Sequence, residues 1–276
     1  MMPIDFLTQI VKQKEREIFQ ARKVVSEERA AELARQRSDF RSLYGALSLP
    51  GASGVNIVAE IKRASPSRGD IAPDLDAPRT ALQYEKGGAV AVSVLTDPTY
   101  FKGSLDDLTA ARSACTLPVL RKEFIISSYQ VYEAAAAGAD AILLIARILS
   151  PKKLNRLYTL CRELGMDALV EIHTPEDART VVASGARLVG INNRNLSTFK
   201  TDIAIAMDLV ARLAPGQVPV AASGISSPTD IQKNLKAGIF NFLVGESIVR
   251  SDDPVRFIRT LMGGGSGVPS PGNGAV

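Results

Sequence analysis

Gly138-Ala139-Asp140-Ala141-Ile142-Leu143-Leu144-Ile145 passes from a helical pattern (128–137) through a glycine into an apolar run (140–145). Glycine just past a helix supplies the left-handed residue that ends it. A short apolar run bounded in this way reads as a strand buried on both faces. The same joint recurs as Gly87-Gly88-Ala89, Gly185-Ala186-Arg187 and Gly238-Ile239-Phe240. Apolar, β-branched-rich runs stand at 55–59, 89–95, 118–120, 140–145, 168–172, 187–191, 218–222 and 240–244. Helical periodicity fills 79–87, 104–114, 128–137, 151–164, 175–184, 202–213 and 228–237. Strands alternating with helices imply parallel strands joined by crossover helices. Eight such units in roughly 210 residues match one closed α/β barrel, (β/α)8, typically about 250 residues long. An open doubly wound sheet is the alternative, but no dinucleotide glycine fingerprint follows the first strand.

Composition sets further bounds. A chain of 276 residues with 46% hydrophobic and 22% charged residues can bury one large core. No apolar run approaches the roughly 20 residues that span a bilayer, and charges interrupt every apolar stretch of 1–16, unlike a signal peptide. Cys115 and Cys161 lack metal-ligand spacing and read as reduced packing residues, so a cytoplasmic protein without a membrane contact is expected. His173 is the only histidine, which excludes a histidine-rich metal site; it reads as a loop residue just after a strand. A net charge of +4 is too small to argue for nucleic acid. From 12 to 41 there are nine basic and six acidic residues with interleaved signs, as in Lys14-Glu15-Arg16-Glu17, the pattern of a solvated helix face. Ile10, Ile18, Val24, Val25 and Leu33 offer an apolar stripe. Residues 1–50 are therefore expected to form an N-terminal helical extension packed on a barrel of residues 51–262. The Gly/Pro/Ser-rich tail, 263–276, is expected to be disordered.

Chemistry in such barrels sits at the carboxyl ends of the strands and in the loops that follow. Strand one ends in Glu60-Ile61-Lys62, and alternation puts Glu60 and Lys62 on one face. Charge at a buried strand end is costly unless paired or used. An internal ion pair would account for these two alone, but the pattern repeats. Strand three ends in Arg121-Lys122-Glu123-Phe124, strand five in Glu171, and strand six in Asn192-Asn193-Arg194. Two lysines, an arginine and two glutamates at one mouth describe an acid–base site for an anionic substrate. Ser223-Gly224-Ile225 and Gly245-Glu246-Ser247 each lead from a strand end toward a helix. Glycine lets backbone approach a ligand, and phosphate sites after strands seven and eight are frequent in this architecture.

Several motifs, in order, carry a resemblance. Ala59-Glu60-Ile61-Lys62-Arg63-Ala64-Ser65-Pro66-Ser67, Tyr100-Phe101-Lys102-Gly103-Ser104, Leu120-Arg121-Lys122-Glu123-Phe124-Ile125, Val170-Glu171-Ile172-His173 and Gly190-Ile191-Asn192-Asn193-Arg194-Asn195-Leu196 resemble indole-3-glycerol phosphate synthase. The similarity covers roughly 1–262, and it implies a TIM barrel that uses neither metal nor organic cofactor. The implied reaction converts 1-(2-carboxyphenylamino)-1-deoxyribulose 5-phosphate to indole-3-glycerol phosphate, losing carbon dioxide and water, in tryptophan biosynthesis. By the resemblance, Lys122 matches the general acid, Glu171 and Glu60 the acid–base carboxylates, and Lys62 a lysine that binds the anionic substrate. Asn192 would position substrate oxygens, and Arg194 with Ser65 would hold the anthranilate carboxylate. Phe101 and Phe124 would wall the aryl pocket. Ser223, Gly224, Gly245 and Glu246 would hold phosphate, the last three through backbone amides, with the Glu246 carboxylate turned away. One position departs: the family usually carries an acidic residue just before Ser223-Gly224, where this chain has Ala222.

The long loop 63–78 is expected to close over substrate, with a static connection as the alternative. The expected partner is a small phosphorylated molecule, bound by a monomer or weak homo-oligomer. Two other readings stay open at this point. One is a different phosphosugar barrel enzyme, either a phosphoribosylanthranilate isomerase, where a cysteine would be expected in place of Glu60 and Lys62, or a Schiff-base aldolase using Lys122. The other is a non-catalytic phosphate-binding barrel, motivated by Ala222.

Overall fold

The computed structural model describes residues 6–195 and 198–263, so the tail from 264 onward lies outside the described residues. Eight parallel strands close into one barrel in chain order: β1 (Asn56–Ile61), β2 (Ala91–Leu95), β3 (Val119–Lys122), β4 (Ala141–Ile145), β5 (Asp167–Ile172), β6 (Leu188–Asn192), β7 (Val218–Ala222) and β8 (Asn241–Val244). β1 pairs with β2 on one side and β8 on the other, which closes the ring. Helices α1 (Phe6–Val24), α2 (Glu27–Gln36) and α3 (Leu43–Leu47) precede the barrel. Then α4 (Ala77–Gly87), α5 (Leu105–Ala114), α6 (Ser128–Ala136), α7 (Pro151–Glu163), α8 (Pro175–Ser184), α9 (Ala204–Val210) and α10 (Pro228–Lys236) follow β1 to β7 in turn. Two helices, α11 (Glu246–Val249) and α12 (Pro254–Leu261), follow β8. The fold is a (β/α)8 TIM barrel.

All eight expected strands are present, and the glycines at the four joints do the work assigned to them. Gly88, Gly138, Gly185 and Gly238 have φ of 95°, 99°, 67° and 83°, conformations that other residues enter only with strain. The expected helix over 202–213 is shorter, because its last turns tighten into three-residue bonds, Arg212 N to Leu209 O and Leu213 N to Val210 O. Helices α11 and α12 were not expected from periodicity.

Alternation along the strands divides the core in two. Val58, Leu120, Leu143, Leu169, Leu188, Val220 and Leu243 meet inside the barrel, while Ile57, Ala59, Val94, Ile142, Leu144, Val170 and Phe242 pack outward under the helices. Following the inward rows of β1, β3, β5 and β6 toward the carboxyl end, apolar residues give way to polar ones: Val58, Glu60, Lys62; Leu120, Lys122; Leu169, Glu171; Leu188, Gly190, Asn192. The interior is thus a packed floor with a polar mouth.

The N-terminal helices pack on this frame. Leu43 and Leu47 of α3 join the inner cluster, and the Asp167 carboxylate at the start of β5 accepts from Tyr44 N at 2.9 Å. On α1, Leu7, Ile10 and Ile18 are buried at helical spacing, but Val24, expected in the stripe, is 86% exposed because it falls off that face. Val25 and Leu33 are half-buried. The reading of 14–17 as solvated fails at Lys14, which is buried.

Asp140, from the glycine joint that opens β4, ties the segment after α2 to the barrel. Its buried carboxylate accepts from Arg37 Nη2 at 2.6 Å, Val119 N at 2.9 Å and Arg41 N at 3.1 Å, and pairs with Arg112 Nε at 2.9 Å. Asp140→Asn strips the charge from this junction and leaves two guanidinium groups underpaired. A loss of about 3 kcal/mol in unfolding free energy is expected by urea titration; a change within about 0.5 kcal/mol, the range of an ordinary surface substitution, contradicts the assignment.

Candidate active site

A cavity of about 440 Å³ opens at the carboxyl ends of the strands. Glu60, Lys62, Lys122, Glu171 and Asn192 line it, as do Ser65, Phe101, Phe124, Arg194, Ser223, Gly224, Gly245 and Glu246. All of the residues singled out from the sequence therefore share one space. The inward rows of β1, β3, β5 and β6 place the polar heads, and the loops after β7 and β8, which stand between β6 and β1 in the ring, supply backbone.

Two ion pairs stand at the centre. Lys62 Nζ lies 2.9 Å from Glu60 Oε1, and Lys122 Nζ lies 3.5 Å from Glu171 Oε2. Asn192 Nδ2 donates to Glu171 Oε1 at 3.0 Å, so both oxygens of that carboxylate have partners. Burial alone would push the Glu60 pKa up, but Lys62, Lys122 and Arg194 outweigh it and hold the carboxyl below its ordinary value. Burial likewise opposes the charge on Lys122, yet Glu171 and Glu60 prevail and its pKa is raised. The site thus holds a protonated Lys122 and an ionised Glu60 near neutral pH.

The walls differ in character. Phe101 and Phe124 are in contact, with ring centroids 6.2 Å apart and planes tilted by 36°, and together form one apolar wall of a slot suited to a flat group. Ser65 is 3% exposed, and its hydroxyl has no hydrogen-bond partner among the described residues. Arg194 donates to Ser67 Oγ at 3.3 Å and lies 3.8 Å from Glu246. Ser67 thus bonds Arg194, and Ser65 lines the same cavity. Glu246 also meets Arg68 at 3.2 Å and Arg250 at 3.3 Å, so its carboxylate is committed to guanidinium groups.

The loops after β7 and β8 form a glycine-turn wall. Ser223 and Gly224 have φ of 68° and 78°, two successive left-handed residues that turn the backbone toward the cavity. Asn193 Nδ2 holds this turn by donating to Ser223 O at 3.0 Å. At Gly245 a Cβ would press into the Glu60 carboxylate, so glycine is required there by close approach.

Other lining residues carried no signal in the sequence. Phe6 of α1 packs edge-on against Tyr100 and Phe199, at 5.4 and 5.1 Å, and roofs part of the cavity. Arg68 and Arg250 also line it. His173 stands just after β5, where its Nδ1 donates to the Asn192 carbonyl at 2.7 Å. The loop after β1 folds back as a two-residue antiparallel pair, Ala64–Ser65 against Gly69–Asp70, anchored by Arg63 on Asp107 at 2.6 Å.

Comparison with known proteins agrees with this arrangement. Barrels such as the 3-hexulose-6-phosphate synthase of Salmonella typhimurium share the fold, with a TM-score of 0.60 over 76% of this chain and 98% of that one, at 14% identity. Among sequence relatives, the indole-3-glycerol phosphate synthase of Desulfosudis oleivorans is 56% identical over 94% of this chain and 98% of its own length. That of Syntrophobacter fumaroxidans is 49% identical over the same shares. The family model described as indole-3-glycerol phosphate synthase matches residues 7–261, from the first turn of α1 to the end of α12. Extension, barrel and mouth are matched together, and the chain belongs to the indole-3-glycerol phosphate synthase family.

Proposed function

We propose that this cavity closes the pyrrole ring of 1-(2-carboxyphenylamino)-1-deoxyribulose 5-phosphate and releases indole-3-glycerol phosphate, carbon dioxide and water. The observation that carries the reading is the convergence of Lys122, Glu171, Asn192, Glu60 and Lys62 on one cavity with an aromatic slot. As the aryl carbon attacks the ketone, Lys122 donates its proton to the oxygen on which charge develops. Loss of carbon dioxide restores aromaticity. Dehydration then needs a proton for the leaving hydroxyl, which Lys62 supplies, and a base for the proton on the carbon beside nitrogen, since the product keeps its N–H; the carboxylates Glu171 and Glu60 share that base role. Lys62 holds an anionic group of the substrate, and Asn192 orients its oxygens. Arg194 grips the anthranilate carboxylate, with the unpartnered Ser65 hydroxyl available as a further donor. The aryl ring lies against the wall formed by Phe101 and Phe124. Phosphate sits against Ser223, Gly224, Gly245 and the amide of Glu246. The same reading makes the protein a cytoplasmic enzyme that acts as a monomer or weak homo-oligomer.

Product formation is followed by indole fluorescence, which this chain does not mask because it contains no tryptophan. A wild-type protein that forms no product sinks the reading. Trapping of substrate on Lys122 by borohydride would favour aldolase chemistry instead.

Ala222 bears on the rate. It is inward-facing, 4% exposed, and in register with Asn192 across β6 and β7. The named acids and bases are all present without a carboxylate here. Ala222→Glu is therefore expected to change turnover by less than about 10-fold, well under the effect of a general acid or base. A gain of 10²-fold or more would mean that the wild-type chain is a poor catalyst for want of that group.

A further inference from the structure

Lys14 is an anomaly on α1. Its side chain is 2% exposed, and its ammonium meets Asp97 at 2.5 Å, Glu17 at 2.7 Å and Glu123 at 3.1 Å. Burial works against that charge, but Glu123 and Asp97 more than offset it and the lysine pKa is raised. Both carboxylates also hold backbone. Asp97 Oδ1 accepts from Tyr100 N at 2.5 Å and Phe101 N at 3.2 Å. Glu123 Oε1 accepts from Phe124 N at 2.8 Å, and its Oε2 accepts from the Thr96 hydroxyl at 2.8 Å. Thr96 in turn accepts from Arg121 Nε, and Arg121 pairs with Glu133 of α6. The groups facing the ammonium are thus Glu17 on its own helix, Asp97 after β2 and Glu123 after β3, with Arg121 one bond further out.

We propose that Lys14 is a positioning residue for the aryl slot: its buried ammonium clamps Asp97 and Glu123, and through them the backbone that sets Phe101 and Phe124. Without it two buried carboxylates face each other and repel, and each carries one ring of the aromatic wall. Asp97 already has its pKa raised, by burial first and by Glu123 in part, so it is the weaker partner. An ion pair with no further duty would not join both aromatic rings to a third element. This inference rests on the reaction proposed above, and it makes the first helix part of the substrate site.

The experiment is Lys14→Met, read in two ways. In the substrate-free protein, amide exchange at Tyr100, Phe101 and Phe124 is expected to quicken by about 10-fold or more while β5 to β7 amides stay as in wild type. In turnover, KM is expected to rise by about 10-fold with kcat within about 3-fold, because the slot binds ground and transition state alike. Lys14→Met/Asp97→Asn should return both readouts toward wild type, since the amide oxygen still accepts from Tyr100 and Phe101 and its NH₂ donates to Glu123. Wild-type exchange in folded Lys14→Met, or a KM defect that Asp97→Asn does not relieve, overturns the proposal. Should Lys14→Met fail to fold, the double variant takes its place: protected amides with near wild-type KM support the clamp, and exposed amides or a KM still raised tenfold refute it. A wild-type protein without turnover defeats the reaction assignment, while the exchange measurement still decides the role of Lys14.

Discussion

Lys122→Ala is expected to lower kcat by at least about 10²-fold, the scale of a lost general acid. Lys122 is the cation that lies between the two carboxylates of the site, with Glu171 at 3.5 Å and Glu60 acting on it by charge. Those carboxylates raise its pKa, and this gives the experiment a sign. A general acid must be protonated, so activity is full below its pKa and falls as pH rises through it. The alkaline limb of kcat/KM is therefore expected above the ordinary lysine value of about 10.4. The substrate's own phosphate and carboxylate are fully ionised well below that pH and do not obscure it. Lys122→Arg keeps the charge but not an acid of similar strength, and is expected to recover little of the rate. A kcat for Lys122→Ala within about 10-fold of wild type would remove Lys122 from the chemistry.

The second large effect is that of Glu171→Gln, expected at about 10²-fold or more in kcat. The amide is nearly isosteric, but its single oxygen can accept from only one of Asn192 Nδ2 and Lys122 Nζ, which leaves the NH₂ facing the other donor. What is lost is charge beside Lys122. With burial no longer opposed by Glu171, the lysine pKa falls and the alkaline limb moves to lower pH. Lys122→Ala/Glu171→Gln should be scarcely worse than either single variant, because the two act as one unit. Additive losses, or an unmoved alkaline limb in Glu171→Gln, would place the two residues in separate roles.

Much of this was legible in one dimension because a parallel barrel is written locally. A strand of period two, a helix of period 3.6 and a left-handed glycine between them are short-range facts, and β4 with its Gly138 joint shows all three. The inward and outward sides of Leu120 and Val119, or of Glu171 and Val170, follow from alternation once the strand is located. The mouth residues followed too, since every strand of a closed parallel barrel ends on the same rim. Helix α11 escaped because four residues give no periodicity. Lys14 was misread because interleaved charges look the same whether a helix faces water or carboxylates.

By itself, then, the order of residues determined the barrel, the inward rows and the polar heads at the carboxyl ends of β1, β3, β5 and β6. Tertiary structure alone decided that Lys122 pairs with Glu171, that Ser67 bonds Arg194, and that α1 reaches across to Asp97 and Glu123. The reason is range. Strand and helix register are set by neighbours a few residues apart, whereas Asp97 and Glu123, which meet Lys14, lie more than eighty residues away along the chain. Only closure of the barrel brings those groups together, and no local pattern encodes that distance.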